Sequence, residues 1–198
     1  MLSPRVKTVL DELERWGEEN DRLQSDRARK MLNLERETAE LLRALIAGRN
    51  AKRILEIGTS NGYSTIWLAA SLAGSPENAG RVTSIDRNPE KVRMAAENLE
   101  RAGLMDRVEL LAGDATEIVA KLEGPFDVVF FDADRFSAPA QLALLAPKLS
   151  PNAMVLADNA TSHPDEIAGY LAAIRSLPGF EHTVIPVGKG LSIAFRSV

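Results

Sequence analysis

From residue 53 onward, short unbroken apolar runs alternate with longer helix-like stretches, and that alternation admits few folds. The runs are Arg53–Ile57, Arg81–Ile85, Arg107–Leu111, Phe126–Phe131 and Ala153–Ala157. Between them lie helical patterns at Tyr63–Ala73, Pro89–Ala102, Ala115–Leu122 and Ala138–Leu149, with another at Pro164–Ser176. Apolar strands separated by helices imply a parallel sheet covered by helices on both faces. The end of the chain differs. His182–Val187 and Leu191–Phe195 flank Gly188-Lys189-Gly190, the pattern of a hairpin and so of an antiparallel edge. The expected architecture is therefore α/β and Rossmann-like, mostly parallel with a C-terminal antiparallel hairpin, and with helices on both faces.

Ahead of this unit, residues 1–30 read as an N-terminal helical extension. Val6, Val9, Leu10 and Leu13 fall at helical spacing, and Trp16 extends the stripe. A second helix is expected from Leu34 to Ala47, closed by Gly48 as C-cap, and Ala73–Gly80 reads as a loop. At 198 residues the whole, 1–198, is expected to be one domain. A net charge of −4 argues against nucleic acid or an anionic membrane as partner. The absence of cysteine excludes disulfides, thiolate metal sites and cysteine nucleophiles. No run approaches membrane-spanning length and the amino terminus lacks a signal-peptide core, so a cytoplasmic setting is expected.

In open parallel sheets, ligands bind beyond the carboxyl ends of the strands. The first strand ends in Ile54-Leu55-Glu56-Ile57-Gly58-Thr59-Ser60-Asn61-Gly62 and runs straight into a helix, so backbone N–H groups at a helix start face a ligand. Its G-x-x-x-G spacing is not the G-x-G-x-x-G of dinucleotide enzymes. Glu56 would repel phosphate, which points to a cofactor with a cationic or hydroxyl-rich part. An acid stands at every one of the next strand ends as well: Asp86, Gly113-Asp114, Asp132 and Asp158-Asn159. Asp86 is placed to take both hydroxyls of a ribose. Asp114 is either within reach of an adenine edge or simply the N-cap of the helix from Ala115. Asp132, Asp158 and Asn159 offer two carboxylates and an amide oxygen from neighbouring strands, a set suited to a hard cation such as Mg²⁺, with Ca²⁺ or Mn²⁺ as alternatives. His182 lies in a late strand, and His163 is a loop residue with a small claim to the substrate side.

These residues together resemble the cation-dependent O-methyltransferases, the family of catechol and caffeoyl-CoA O-methyltransferases. The likeness runs from about Met31 to the end of the chain. It rests on Ile54–Ser64, Ser84-Ile85-Asp86, Gly113-Asp114-Ala115, Phe130-Phe131-Asp132-Ala133-Asp134-Arg135, Leu156-Ala157-Asp158-Asn159 and the ending Gly188–Ala194. The resemblance implies a class I methyltransferase fold that uses S-adenosylmethionine (SAM) and a divalent cation to methylate a small hydroxylated, catechol-like or phenolic acceptor, as a homodimer. It implies that Glu56, Gly58, Ser60 and Ser64 surround the methionine end and the turn, with Gly62, Tyr63 and Arg87 as further cofactor contacts. Asp86 would hold the ribose, and Gly113, Asp114 and Ala115 the adenine. Asp132, Asp158 and Asn159 would hold the cation, Asp132 also bordering the cofactor, and residues near Met31 would close over it. Asp132 and Arg135 would be the catalytic pair.

The chain departs from that family in two places. Arg135 stands where a lysine base is usual, and a guanidinium stays protonated. Phe136-Ser137-Ala138-Pro139 and Thr161-Ser162-His163-Pro164 replace the loops that usually shape the acceptor pocket. Two other readings follow: a SAM-binding protein with altered acceptor or lost turnover, signalled by Arg135, and a nicotinamide-dependent oxidoreductase, against which the glycine spacing, Glu56 and the terminal hairpin all weigh.

Overall fold

The computed structural model describes residues 2–72 and 80–197. Seven strands form one sheet: β1 Arg53–Ile57, β2 Arg81–Asp86, β3 Val108–Ala112, β4 Phe126–Phe131, β5 Leu149–Ala157, β6 Phe180–Ile185 and β7 Leu191–Arg196. Their order is β3-β2-β1-β4-β5-β7-β6. Strands β1 to β5 pair in parallel, while β7 pairs antiparallel with both β5 and β6. The chain thus has the mostly parallel sheet with one antiparallel hairpin expected of it.

Helices α1 Pro4–Leu23, α2 Arg36–Gly48, α3 Tyr63–Ser71 and α4 Pro89–Ala102 cover one face. Helices α5 Ala115–Lys121, α6 Ala138–Leu145 and α7 Pro164–Arg175 cover the other. The period of two along a strand sorts side chains between these layers. In β1, Ile54 packs with the α1–α4 core, while Leu55 and Ile57 pack with the α5–α7 core.

Helix α1 begins at a Ser3 N-cap, whose Oγ accepts from Val6 N–H at 3.2 Å, with Pro4 at the first helical position. Val6, Val9, Leu10 and Leu13 are buried, at roughly 2 kcal/mol for each such side chain. Arg5 fixes the crossing of α1 on α4 by donating to the last carbonyls of that helix, Arg101 O at 2.5 Å and Glu100 O at 2.7 Å. Trp16 does not continue the buried stripe. It is 41% exposed, and Gly17 is buried in its stead. A Cβ on Gly17 would stand 2.5 Å from Asn33 Nδ2, so the stripe turns at the one residue small enough to admit Asn33.

Several element ends differ from expectation. Gly48 is the last residue of α2 and not its left-handed cap; positive φ falls at Asn50 (51°). Strand β5 starts four residues early, at Leu149, because a 3-10 turn at Ala146–Lys148 ends the α6 region at Pro147. The first strand of the hairpin is shifted toward the amino end, running Phe180–Ile185, while the second starts at Leu191 as expected. The loop expected at Ala73–Gly80 lies, apart from Gly80, outside the described residues. Among the described residues no helix is long and apolar enough to cross a membrane.

Candidate active site

The strand order reverses between β1 and its neighbours β2 and β4, and beyond the carboxyl ends of these strands lies a cavity of about 820 Å³. Gly58 begins its floor. Its N–H donates to Ile85 O at 2.9 Å, and its φ is +115°. Asp132 N–H donates to Ile57 O at 2.8 Å, which draws β4 so close that a Cβ on Gly58 would lie 2.2 Å from Asp132 O. The turn that follows is held at both sides of Ser60: its N–H donates to Asp86 Oδ2 at 2.8 Å and its Oγ to Met31 O at 2.7 Å. Asp86 Oδ1 accepts from Asn88 N–H at 2.9 Å, so one carboxylate ties the glycine turn to the start of α4.

Gly58, Ser60, Tyr63, Ser64, Asp86, Arg87, Gly113, Asp114, Ala115, Asp132, Arg135, Asp158 and Asn159 all line this cavity, as does His163. Glu56 and Gly62 do not. Glu56 is fully buried beneath the turn, facing α3, where its carboxylate accepts from Ser64, Thr65 and Ser84 hydroxyls, each at 2.5 Å. Gly62, at φ +86°, presses instead on Ala95 of α4, with 3.0 Å from its would-be Cβ to that of Ala95. Both serve the cavity from behind, Glu56 by orienting Ser64 and Gly62 by seating α3 on α4. Asp114 lines the cavity and is also the N-cap of α5, accepting from Thr116 N–H at 2.9 Å and Glu117 N–H at 3.1 Å.

Burial pushes the Glu56 carboxyl up to about 7 against the pull of its three hydroxyl donors, and the nearby Asp86 charge adds to the rise. Because the folded value exceeds the unfolded 4.5, the proton-linked stability is complete below about pH 4.5 and is lost as pH rises through about 7. Glu56→Gln, which keeps the shape and lets the hydroxyls rotate to suit, is therefore expected to stabilise the protein by about 3 kcal/mol at pH 8. The gain should shrink toward pH 5. Urea unfolding at the two pH values measures this; a difference that does not change with pH contradicts it.

The acidic end of the cavity is assembled by β4 and β5. Asp158 N–H donates to Phe131 O at 3.1 Å, which sets Asp158 beside Asp132. Burial holds the Asp132 carboxyl well above its ordinary range, with the Asp158 charge as the next cause. Asp158, 4% exposed, is likewise pushed up to about 6, mainly by burial. Its Oδ2 accepts from Asn159 Nδ2 at 2.7 Å, while among the described residues buried Oδ1 has no donor. Asn159 adopts φ +64°, and its Oδ1 accepts from Ser162 Oγ at 3.1 Å. Two adjacent carboxylates that burial disfavours as anions, one with an orphaned oxygen, form a donor set that a hard cation would satisfy. Among the described residues no three Asp, Glu, His or Cys side chains gather into a metal cluster, so Asn159 and water would have to complete the coordination.

Arg135 donates from Nη1 to Glu166 Oε2 of α7 at 2.7 Å, and among the described residues its buried Nε has no partner. Two features go beyond the sequence expectation: the tie of Tyr63 to α1 and the arrival of Lys189 at the cavity. Tyr63, whose phenol is held protonated by burial and by its bond to Glu14, connects the cavity to α1, and Glu14 is in turn paired with Arg36 at 2.8 Å. Lys189, at the hairpin tip, lines the cavity beside the acidic end.

A sequence profile of the O-methyltransferase family matches residues 6–165. The chain is 41% identical over 117 residues to the catechol O-methyltransferase of Mycobacterium tuberculosis, which covers 58% of this chain and 51% of that protein. It thus spans about half the length of the curated catechol O-methyltransferases it matches. Among solved structures it is similar to the O-methyltransferase from Bacillus cereus in complex with S-adenosylhomocysteine (SAH), with TM-score 0.79, 26% identity and 96% and 91% of the two chains covered. It is similar also to the O-methyltransferase TomG from Streptomyces achromogenes, involved in tomaymycin synthesis and solved with SAM. There the TM-score is 0.78, with 28% identity and coverage of 99% and 91%.

Proposed function

This chain belongs to the O-methyltransferase family, and on that premise we propose that it transfers the methyl group of SAM to a hydroxyl of a small phenolic, catechol-like acceptor, with a divalent cation held by Asp132, Asp158 and Asn159. The observation that carries this reading is the seam between β1 and β4. There the turn suited to a methyl donor and the carboxylates suited to a cation meet through backbone contact in one cavity. When bound, SAM supplies a methyl group on a cationic sulfur, and the cation supplies a Lewis acid that lowers the pKa of a coordinated hydroxyl.

The residues divide the remaining work. Asp86, already fixed by the Ser60 and Asn88 amides, keeps lone pairs on both oxygens for the ribose hydroxyls. Asp114 marks the adenine end, where its carboxylate is committed to the start of α5. Met31, Asn33 and Leu34 line the side of the cavity next to the turn, and the Ser60 hydroxyl anchors that segment through Met31 O. A guanidinium is a fixed cation and not a base, and that of Arg135 is engaged by Glu166, so its task is to stabilise negative charge on the acceptor oxygen. The acid-rich wall favours a cationic sulfonium over an anionic pyrophosphate cofactor, and so does the position of Asp132 at the seam.

A radiolabelled methyl-transfer screen against catechols and related phenols, with Mg²⁺ or with chelator, tests the proposal. Turnover with Mg²⁺ and its loss on chelation are expected, along with calorimetric binding of SAH and none of NAD⁺. Binding of SAH with no turnover on any acceptor would leave a cofactor-binding protein, the outcome that Arg135 invites. Binding of NAD⁺ in preference to SAH would overturn the methyltransferase reading altogether.

A further inference from the structure

The terminal hairpin carries into the cavity one charged group to which the reaction above gives no task. Its tip, Gly188-Lys189-Gly190, is pinned from two sides. Lys189 O accepts from Thr161 N–H at 3.0 Å, Ser162 N–H at 3.2 Å and Thr161 Oγ1 at 2.8 Å, and Gly190 O accepts from Ala160 N–H at 2.8 Å. These donors follow directly on Asp158-Asn159. On the opposite side, a Cβ on Gly188 would lie 2.5 Å from Thr38 Oγ1 of α2, and Gly188 and Gly190 both hold positive φ, +54° and +88°. The backbone of Lys189 therefore has little freedom, and its position is tied to the loop that presents the candidate cation ligands.

From this fixed point the side chain reaches Glu35, with Nζ 2.5 Å from Oε1, and shares the cavity wall with Asp132 and Asp158. Its ion pair is with Glu35 and not with either of them. The ammonium thus lines the same cavity wall as the carboxylate pair without being bonded to it, and among the described residues Asp158 Oδ1 still lacks a donor.

We propose that Lys189 is a resident positive charge of the acceptor end, partly balancing Asp132 and Asp158, and that it sets how tightly a divalent cation is held there. This rests on the cation assignment made above. A dication drawn to the two carboxylates is opposed by the lysine at the same moment, and Glu35 mutes that opposition in proportion to its closeness to Nζ. The affinity of the site is thereby set by the balance of Lys189 and Glu35 beside Asp132 and Asp158.

Mn²⁺ titrations of the apo protein, followed by the electron paramagnetic resonance of free Mn²⁺, test this without reference to turnover. Lys189→Met is expected to bind Mn²⁺ about 10-fold more tightly than the parent, and Lys189→Arg within about twofold of it. Glu35→Gln, which frees the ammonium and removes an anion, is expected to bind about 3-fold more weakly. Opposite shifts from the two partners of one ion pair are not produced by a general loosening of the fold, which would weaken both. Equal Mn²⁺ affinity in Lys189→Met and the parent overturns the proposal and leaves the cation assignment standing. Absence of Mn²⁺ binding in every variant overturns both.

Discussion

Gly58→Ala is expected to lower the melting temperature by about 10 °C or more and to abolish SAH binding. The added Cβ would meet Asp132 O at 2.2 Å and Asp132 C at 2.7 Å, both backbone atoms of the neighbouring strand. Neither can yield without parting β1 from β4 at the bond from Asp132 N–H to Ile57 O. The φ of +115° adds strain for any residue with a side chain. Together these amount to about 4 kcal/mol, at the upper end of single-substitution effects, and a protein of this size loses roughly 2–4 °C per kcal/mol. Gly179→Ala serves as the internal standard. Gly179 also has positive φ, +74°, but a Cβ there meets nothing within 4 Å, so only the conformational cost, about 1 kcal/mol, should appear. Thermal melts and calorimetry on the two variants measure the contrast. Similar melting temperatures for both would show that the β1–β4 seam is not tight.

Asp158→Ala is expected to cut cation-dependent turnover by on the order of a thousandfold while SAH affinity stays within about threefold. It removes one of two carboxylates in the candidate cation set and touches none of the contacts that hold the glycine turn. Its effect on stability should have the other sign or be small. Burial already disfavours charge on Asp158 and its neighbour Asp132, so deleting one carboxylate relieves repulsion in the apo protein. A stable, cofactor-binding but inactive protein is the expected combination, read from a melt, an SAH titration and an initial rate. Turnover that persists in this variant, or in the parent with chelator present, would remove the cation from the mechanism.

The sheet was legible because its signal is local: five short, largely apolar runs separated by helical patterns read as strands covered on both faces. The rim of acids at the strand ends was legible for the same reason, since a strand end and the residue after it are fixed by the run itself. What escaped depends on direction or on distant contact. Glu56 reads as a cavity residue from its position in the chain, yet the alternation along β1 turns it away from Ile57 and toward α3. The hydroxyls of Ser64 and Thr65, within the first turn of the following helix, were the available sign that this carboxyl has donors inside the fold. Trp16 was misjudged because a helical stripe is wide and only the approach of Asn33 decides which residue faces inward. Arg135 could be recognised as unable to act as a base, but not as a partner of Glu166, which lies on α7 beyond another strand. Lys189 was read as part of a turn. Its arrival at the cavity follows from β7 lying between β5 and β6, a pairing that no local pattern reveals.

The reversal of strand order at β1 has a further meaning in time. To bring Asp132 to Gly58, β4 must pair with β1 after the chain has laid down β2 and β3 on the far side, together with α3, α4 and α5. Closing so long a loop costs entropy before any contact repays it, and pairings of this kind form late. A folding chain that has assembled β1, β2 and β3 would possess the turn, Asp86 and Asp114, and still lack any surface to seal it. The donor residues would then precede the acceptor wall, and the site would be completed only when the central crossover docks.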